Sequence, residues 1–534
     1  MRKAIFCLVL AASWMRGAEP HVRFETSDRC IACHNGLTTP SGQDVSIGFE
    51  WRASIMGNSS RDPYWQASVR RESIDHFESQ AAIEDECSVC HMPITRYEAK
   101  LHGHLGQVFI HLPFDEEKES GREAEDGVSC SVCHQIGKEK LGTRESFNGG
   151  FVVDPPENKQ NHPEYGPFDI QQANQRIMRT STGGFRPTDD LHIRDSKLCA
   201  TCHTLYTVAR GAGGKAVGEL PEQMPYLEWL HSDYRDKQSC QDCHMPEVPQ
   251  PTPIARVLGI ARDGLHQHVF VGGNFFLQRL LNRYREDLSV EALPQELKSA
   301  SEGTVAFLQA KSARVSITDV GVASGCLQAD VLVENQTGHK LPTAYPSRRA
   351  WIHFVVRDRN HRVVFESGAL NPDGAIQGND NDADPARFEP HYTEITSRDQ
   401  VQIYESILKA PDGSVTTGLI TAIGYLKDNR LLPKGFDKQS ADKDIAVYGR
   451  AASDANFTDA GDRVRYSITL GNAQGPFSIE AELWYQPIGY RWANNLKPYD
   501  RAAEPKRFNT YFDEMGPATA VTLARAEKTM EVRP

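Results

Sequence analysis

Cys130-Ser131-Val132-Cys133-His134 decides the fold of this chain, because its pattern, C-x-x-C-H, recurs four more times. The other copies are Cys30-Ile31-Ala32-Cys33-His34, Cys87-Ser88-Val89-Cys90-His91, Cys199-Ala200-Thr201-Cys202-His203 and Cys240-Gln241-Asp242-Cys243-His244. With 12 cysteines and 19 histidines in 534 residues, random placement gives about 0.01 such matches in the whole chain. The five copies are therefore a functional pattern.

The pattern is the attachment signature of a c-type haem. Its two thiols form thioethers with the vinyl groups of one porphyrin, and the imidazole that follows binds the iron as the proximal ligand. The predicted attachment residues are Cys30, Cys33, Cys87, Cys90, Cys130, Cys133, Cys199, Cys202, Cys240 and Cys243, and the predicted proximal ligands are His34, His91, His134, His203 and His244. Neither a disulfide framework nor a zinc site requires a histidine after every cysteine pair. We therefore predict five molecules of haem c.

The N-terminal residues have the composition of a secretory signal. The basic pair Arg2-Lys3 precedes an apolar stretch at residues 4–15, which is the order of a signal peptide. We predict that residues 1–18 are removed and that the mature protein is periplasmic or otherwise exported. An uncleaved anchor helix is the alternative, because Arg16 lies close to the cleavage point. Elsewhere no apolar run has the length of a membrane span, so we expect no integral membrane segment after cleavage.

The net charge of −12 describes the chain before any haem propionate is counted. An acidic chain without a basic stripe argues against binding of nucleic acid. We expect redox proteins as partners, of a basic or polar kind. The sequence does not determine an oligomeric state.

The pattern of residues after the signal divides the chain into a motif-rich part and a part in which apolar residues alternate. Residues 19–285 hold all five motifs and 15 of the 19 histidines, which predicts a mainly helical and irregular pentahaem cytochrome domain. Residues 286–310 predict a helical linker, and helices are expected at 274–284 and 294–310. Residues 311–534 predict an antiparallel β-sandwich, because apolar residues there alternate with period two. The expected strands are 314–322, 328–334, 351–357, 362–367, 401–407, 420–426, 463–470 and 477–485.

The order of the motifs and their surroundings resemble the multihaem cytochromes of the c-552/4 type. The resemblance covers most of residues 25–285 and is clearest at Glu125-Asp126-Gly127-Val128-Ser129-Cys130 and at Ser239-Cys240-Gln241-Asp242-Cys243-His244-Met245-Pro246. It implies an exported electron-transfer protein or a related reductase, with haems attached at the same five cysteine pairs. The C-terminal β domain would be an addition to this cytochrome domain.

A six-coordinate haem needs a second axial ligand, normally histidine or methionine. Ten histidines of residues 19–285 lie outside the motifs: His21, His76, His102, His104, His111, His162, His192, His231, His266 and His268. We favour three of them as distal ligands. His76 precedes a predicted helix, His192 has apolar neighbours, and His268 lies just before Gly272-Gly273, where the backbone can approach a porphyrin.

The resemblance adds a pattern for a distal histidine, Trp-x-x-Ser-x-His, from which this chain departs twice. Met56 takes the place of the histidine in one copy and Tyr234 in the other. If Met56 bound iron, that haem would have a higher potential; the alternative is a methionine that fills core space. If Tyr234 leaves its site unfilled, one haem is open to a small molecule, unless His231 fills the site.

The second part of the chain offers three further candidates. His339, within the stretch ENQTGHKLPTAYPSRR at residues 334–349, is either a distal ligand that reaches back to a haem or a structural loop histidine. This stretch resembles a segment of C-terminal domains attached to such cytochromes. Arg348 and Arg349 are expected to pair with haem propionates. The turn that contains Asp380, Asp382 and Asp384 suits Ca²⁺, with a solvated acidic loop as the alternative.

These observations predict an exported multihaem cytochrome that transfers electrons through five haems. The alternative is an oxidoreductase that reduces a small nitrogen or sulfur compound at one open haem. A third hypothesis makes the β domain a docking module for a partner or a cell surface. No catalytic residue is assigned, since the spacing of the sequence reveals no Ser/His/Asp or paired-carboxylate arrangement.

Overall fold

The computed structural model describes residues 24–154 and 161–531 of the chain. The predicted signal peptide, residues 1–18, and His21 lie outside these ranges. Within them, no helix combines the length and the apolar character that crossing a membrane would require.

Short helices joined by loops make up the part of the chain that carries the five motifs. The helices are Asp28–Ile31 (α1), Ile47–Arg52 (α2), Pro63–Asp75 (α3), Gln80–His91 (α4), Pro93–Leu101 (α5), Glu119–Glu125 (α6), Cys130–Gln135 (α7), Gln172–Ser181 (α8), Ser196–His203 (α9), Pro225–Leu230 (α10), Cys240–His244 (α11), Phe275–Arg283 (α12) and Pro294–Lys311 (α13). Three two-stranded sheets lie among them: His162–Gly166 (β1) with Phe185–Asp189 (β2), Leu205–Arg210 (β3) with Ala216–Gln223 (β4), and Thr252–Pro253 (β5) with Ala261–Arg262 (β6). The first pair is parallel and the other two are antiparallel.

Local sequence explains where several helices begin. Asp62 precedes α3 and its side chain accepts hydrogen bonds from the backbone N–H groups of Tyr64 and Trp65, which satisfies donors that have no partner inside the helix. Asp195 caps α9 in the same way. The helices α12 and α13 lie within one residue of the predicted bounds.

Strands dominate the rest of the chain. They are Ala313–Ala323 (β7), Cys326–Asn335 (β8), Arg349–Arg357 (β9), Val363–Ser367 (β10), Glu394–Ile395 (β11), Ile403–Tyr404 (β12), Ser406–Lys409 (β13), Val415–Thr416 (β14), Tyr425–Asp428 (β15), Asp462–Thr469 (β16), Phe477–Gln486 (β17) and Val521–Met530 (β18). Three helices interrupt them: Asp380–Ala383 (α14), Tyr490–Asn494 (α15) and Ala503–Met515 (α16).

Two larger sheets pack face to face in this region. One has the strand order β11-β16-β8-β7, and the other has the order β10-β9-β17-β18 with β12 beside β9. All these pairs are antiparallel except β11 with β16. The ring of Phe354 on β9 stacks on that of Tyr466 on β16, with 3.8 Å between ring centres. The alternation of apolar residues predicted these antiparallel sheets, because alternate side chains point to one face.

The strand predictions differ from the structure in three places. Residues 401–407 divide between β12 and β13, which join different sheets. Residues 420–424 form a turn and a short loop, and the strand begins at Tyr425. The edge strand β18 was not predicted, because its solvent-facing positions are charged and its apolar residues are few.

The two parts of the chain share one core. Buried residues of α12, such as Phe275 and Leu280, belong to the same apolar cluster as residues of β17. The guanidinium of Arg70 on α3 donates two hydrogen bonds, of 2.9 and 2.8 Å, to the carboxylate of Glu504 on α16. Glu72 accepts a hydrogen bond from the backbone N–H of Leu419. The strand-rich part, residues 313–531, is therefore packed directly against α3 and α12 of the motif-carrying part, which extends to residue 311.

Candidate haem-binding site

Each of the five C-x-x-C-H motifs lies on or at the end of a short helix. The motifs begin on α1, end α4, begin α7, end α9 and form α11. Residues three and four apart share one face of a helix, so this geometry turns both thiols and the imidazole of a motif to the same side. Serine caps start two of these helices: the side chain of Ser129 caps α7, and Ser239 and Asp242 cap each other's backbone N–H at α11.

Backbone carbonyls orient four of the five motif imidazoles. The Nδ1–H group of each donates to one carbonyl oxygen: His34 to Ile254 O (2.6 Å), His91 to Ser59 O (2.7 Å), His134 to Tyr165 O (2.6 Å) and His244 to Val271 O (2.5 Å). A carbonyl oxygen can only accept, so Nδ1 carries the proton and Nε2 keeps its lone pair. This is the tautomer that binds a metal through Nε2.

Burial keeps these imidazoles neutral. Desolvation lowers the pKa of His91 and of His203 to about 4, and it also lowers the pKa values of the other three motif histidines. A histidine binds a metal through a ring nitrogen that carries no proton, and the neutral imidazole has one such nitrogen. The ten motif cysteines have free thiols, so the donor set fits covalently attached haem at every motif.

Two motif imidazoles face a second imidazole. The ring centres of His134 and His268 are 6.4 Å apart with 16° between the ring planes, and those of His244 and His339 are 6.2 Å apart with 7° between the planes. Two imidazoles bonded at about 2 Å to opposite sides of one metal have ring centres roughly 6 Å apart. Each pair of imidazoles would therefore be able to hold one iron between them.

The facing imidazoles have the same protonation preference as the motif imidazoles. Nδ1 of His268 lies 3.1 Å from His266 O, and Nδ1 of His339 lies 2.9 Å from Lys340 O. Desolvation lowers the pKa of His268 to about 3 and that of His339 to about 4. Each therefore has an unprotonated Nε2 for a metal, as a ligand requires.

One short segment serves two of these sites. His268 lies three residues before Val271, whose carbonyl accepts the hydrogen bond from His244. The backbone N–H of His268 donates to Glu50 at 2.7 Å, and the side chain of Gln267 donates to the same carboxylate at 2.6 Å. The glycine-containing segment expected to approach a porphyrin thus lies between the motifs at residues 130–134 and 240–244.

The structure gives the other two favoured histidines different partners. Nε2 of His76 lies 3.0 Å from the hydroxyl of Thr421 in the strand-rich part. Nε2 of His192 donates to Ile136 O at 2.7 Å, and its Nδ1 lies 3.0 Å from a carboxylate oxygen of Asp190. Neither is among the imidazoles that face a motif histidine, so their role as ligands stays a prediction without this support.

The structure also shows the contacts of Met56 and Tyr234, which replace the histidine of the Trp-x-x-Ser-x-His pattern, and of the nearby His231. Met56 is half-buried, and its carbonyl accepts the backbone N–H of Val128 just before the third motif. His231 is exposed, and its Nδ1 donates to Leu227 O. The hydroxyl of Tyr234 donates to Gln336 O at 3.1 Å, which links the pattern to the loop of His339.

Some contacts of the site leave no signal in the sequence. The ring of Trp65 stacks on the imidazole of His91 with 4.2 Å between centres and 2° between planes. The four carbonyls that orient the motif histidines are backbone atoms, which any residue type supplies. The sequence shows that Trp65 is aromatic, but nothing in it indicates that the ring contacts His91.

The motifs lie next to one another in space. The thiols of Cys30 and Cys130 are close enough to shift each other's pKa, as are those of Cys90 and Cys202 and those of Cys199 and Cys240. Cys133 and Cys202 are close enough to interact electrostatically. The fourth motif therefore neighbours the second, third and fifth, and the third also neighbours the first.

The acidic turn has protein partners for its carboxylates. Asp382 is buried and accepts two hydrogen bonds from Arg349, at 2.7 and 2.9 Å, and one from the backbone N–H of Ile376. Asp380 pairs with Arg387, and Asp384 accepts the backbone N–H of Ala386. These bonds leave the calcium prediction without support, and they commit Arg349 to Asp382 rather than to a haem propionate.

A second polar cluster lies between the sheets. His391, Asp454 and Asp462 are buried with potential ligand atoms within 4.8 Å of one another. However, Nδ1 of His391 faces the amide nitrogens of Gln402 (2.9 Å) and Asn429 (3.1 Å), whose oxygens accept other backbone N–H groups. Nδ1 is therefore the acceptor and Nε2 carries a proton, which it donates to Asp454 at 3.0 Å. That tautomer forms a hydrogen-bond network and does not suit a metal.

The fold is similar to that of a known cytochrome. The penta-heme cytochrome c552 from Thermochromatium tepidum matches with a TM-score of 0.50 at 14% sequence identity, over 95% of this chain and 99% of that chain. Because so much of this chain is covered, the match extends into the strand-rich part. No family model and no curated protein matches the sequence. The chain thus has the fold of a multihaem cytochrome c.

Proposed function

We propose that this chain is an exported multihaem c-type cytochrome that carries electrons through five covalently bound haems. The observation that carries the proposal is the proximity of all five attachment motifs within the fold of a penta-heme cytochrome. Attached haem supplies a one-electron redox centre at each motif. The protein supplies the attachment thiols, the proximal imidazoles and the spacing between neighbouring centres.

The proximity of cysteines from different motifs supports a branched route for electrons. Haems at the first and third motifs would be neighbours, and the fourth motif would connect the third to the second and the fifth. Such a route needs no substrate pocket, because each haem exchanges electrons with the next one. Redox proteins at the surface would be the donor and the acceptor.

In this proposal two of the haems would each be held by two histidines. His268 would complete the haem of His134, and His339 would complete the haem of His244. Bis-histidine ligation favours a lower potential than ligation by histidine and methionine. His339 belongs to the strand-rich part, so that part would complete a redox centre rather than serve only as a docking module.

A reductive titration tests the proposal. We expect the purified holoprotein to take up five electrons per chain, and its mass to exceed that of the cleaved polypeptide by five haems. A variant with Cys130→Ser and Cys133→Ser should take up four electrons and lose one haem in mass. A holoprotein with fewer than five haems per chain would contradict the proposal.

The same protein distinguishes electron transfer from the alternative of a reductase. Electron transfer alone predicts low-spin ferric spectra that do not change on addition of nitrite, hydroxylamine or sulfite. A high-spin component that shifts with one of these compounds would assign an open, substrate-binding haem. Cell fractionation of the expressing organism tests the proposed export.

A further inference from the structure

The loop that carries His339 has a shape set within the strand-rich part. Asn335, at the end of β8, donates from Nδ2 to His339 O at 2.7 Å and to Leu431 O at 3.0 Å, and its Oδ1 accepts the backbone N–H of Thr337 at 2.8 Å. These bonds determine the conformation of the loop. They do not determine how far the imidazole stands from His244, which lies on a helix of the other part.

Two aromatic side chains of the motif-carrying part hold the loop from one side. The hydroxyl of Tyr234 donates to Gln336 O at 3.1 Å. A Cβ added at Gly338 would lie 3.3 Å from both Trp229 and Tyr234, so the loop backbone packs directly against these rings. Trp229 is itself fixed, because its Nε1–H donates to Gln238 O at 3.0 Å.

A buried carboxylate holds the loop from the other side. Glu228 has no exposed surface, and its Oε2 accepts the backbone N–H of Lys340 at 3.1 Å and the hydroxyl of Thr343 at 2.5 Å. Arg430 pairs with the same carboxylate at 3.0 Å. The residues on both sides of His339 are thus bonded to the segment 228–234.

We infer that Tyr234 is a positioning residue that holds the His339 loop at the distance from His244 that one iron requires. The inference rests on the proposed function, in which His339 is an axial ligand. Tyr234 occupies the place where the Trp-x-x-Ser-x-His pattern has its histidine. In this chain the ligand, His339, comes from the strand-rich part. The segment of residues 229–234 supplies the surface on which the His339 loop packs.

Cyanide binding to the ferric holoprotein tests the inference, because an external ligand enters a six-coordinate haem only when the distal histidine leaves. His339→Ala should open one haem to rapid cyanide binding. Tyr234→Phe keeps the ring against Gly338 but loses one neutral hydrogen bond, which should raise the rate of cyanide binding at that haem roughly fivefold. Gly338→Ala should raise this rate as well, since its Cβ would push the loop from Trp229 and Tyr234.

Tyr448→Phe is the matched control, because the Tyr448 hydroxyl also donates to a backbone carbonyl, that of Lys443, at 2.7 Å. It should leave the cyanide rate at the parent value. If His339→Ala opens a haem while Tyr234→Phe and Gly338→Ala bind cyanide at the parent rate, Tyr234 does not position the ligand and the inference is wrong. If His339→Ala binds no more cyanide than the parent, His339 is not a ligand, and that part of the proposed function is wrong too.

Discussion

At the scale of single residues, the site depends on which nitrogen of each histidine is free. Four motif imidazoles donate Nδ1–H to a backbone carbonyl, and burial lowers their pKa and so favours the neutral form. The same test applied to His391 gives the opposite answer, since two amide N–H donors face its Nδ1. A neutral imidazole is therefore not in itself evidence for a metal ligand. The hydrogen-bond partner of Nδ1 decides whether Nε2 is left without a proton and can bind a metal.

His268 and His192 make a direct comparison at this scale. His268→Ala should remove the imidazole opposite His134 and convert one low-spin haem to high spin, because its iron would lose an axial ligand. His192→Ala should leave the spin state unchanged, since His192 contacts Ile136 and Asp190 instead. Electron paramagnetic resonance of the ferric proteins measures both effects. A high-spin signal in the His192 variant only would reverse our assignment.

At the scale of elements, buried ion pairs fasten loops of the strand-rich part to its sheets. Arg349, at the start of β9, is nearly fully buried together with its partner Asp382 on α14. The guanidinium also donates to Gln486 on β17. A buried cation of this kind is stable only while its carboxylate partner remains, because an unpaired charge inside the protein is poorly solvated.

Asp382→Ala should therefore lower the free energy of unfolding by about 3–5 kcal/mol. Asp380→Ala is the control, since Asp380 pairs with the exposed Arg387 and such surface pairs contribute at most about 1 kcal/mol. Denaturant unfolding of both variants and the parent measures the difference. Equal free energies of unfolding for the two variants would show that the buried Arg349–Asp382 pair contributes no more to stability than the surface pair of Asp380 and Arg387.

The same proteins test the predicted calcium site. With Asp382 committed to Arg349, added Ca²⁺ or a chelator should leave the melting temperature of the parent unchanged. A rise in melting temperature with Ca²⁺ that disappears in the Asp380→Ala variant would restore the calcium prediction.

At the scale of the whole molecule, the strand-rich part and the motif-carrying part share a core and a candidate haem ligand. The bonds of Arg70 to Glu504 and of Arg279 to the carbonyl of Ala518 connect the two parts at widely separated points. Deleting residues 311–534 would therefore remove His339 and expose the apolar face of α12. A loss of partner binding after that deletion would not by itself show docking.

We expect the holoprotein to unfold in one cooperative transition. The haem Soret band reports the motif-carrying part, and the infrared amide band of β-structure reports the sheets. Both should change at the same temperature, because the largest apolar cluster contains buried residues of both parts. Two separate transitions would indicate that the parts fold independently.

The sequence by itself determined the five C-x-x-C-H motifs, the helix predicted at residues 294–310, and most strands of the two sheets. These features are local: a thiol pair with its histidine, or an alternation of apolar residues, needs no distant partner to be recognised. Residues 401–407 and 420–426 were less well predicted, since which sheet a short strand joins depends on neighbours far along the chain.

Only the tertiary structure decided which histidines face the motif imidazoles. The sequence analysis favoured His268, His192 and His76 as distal ligands, and for His339 it left open either a ligand or a structural loop histidine. The structure brings His268 and His339, but not the other two, to the spacing of two ligands on one metal. A distal position depends on how separate segments pack in three dimensions, and no spacing within the sequence encodes that distance.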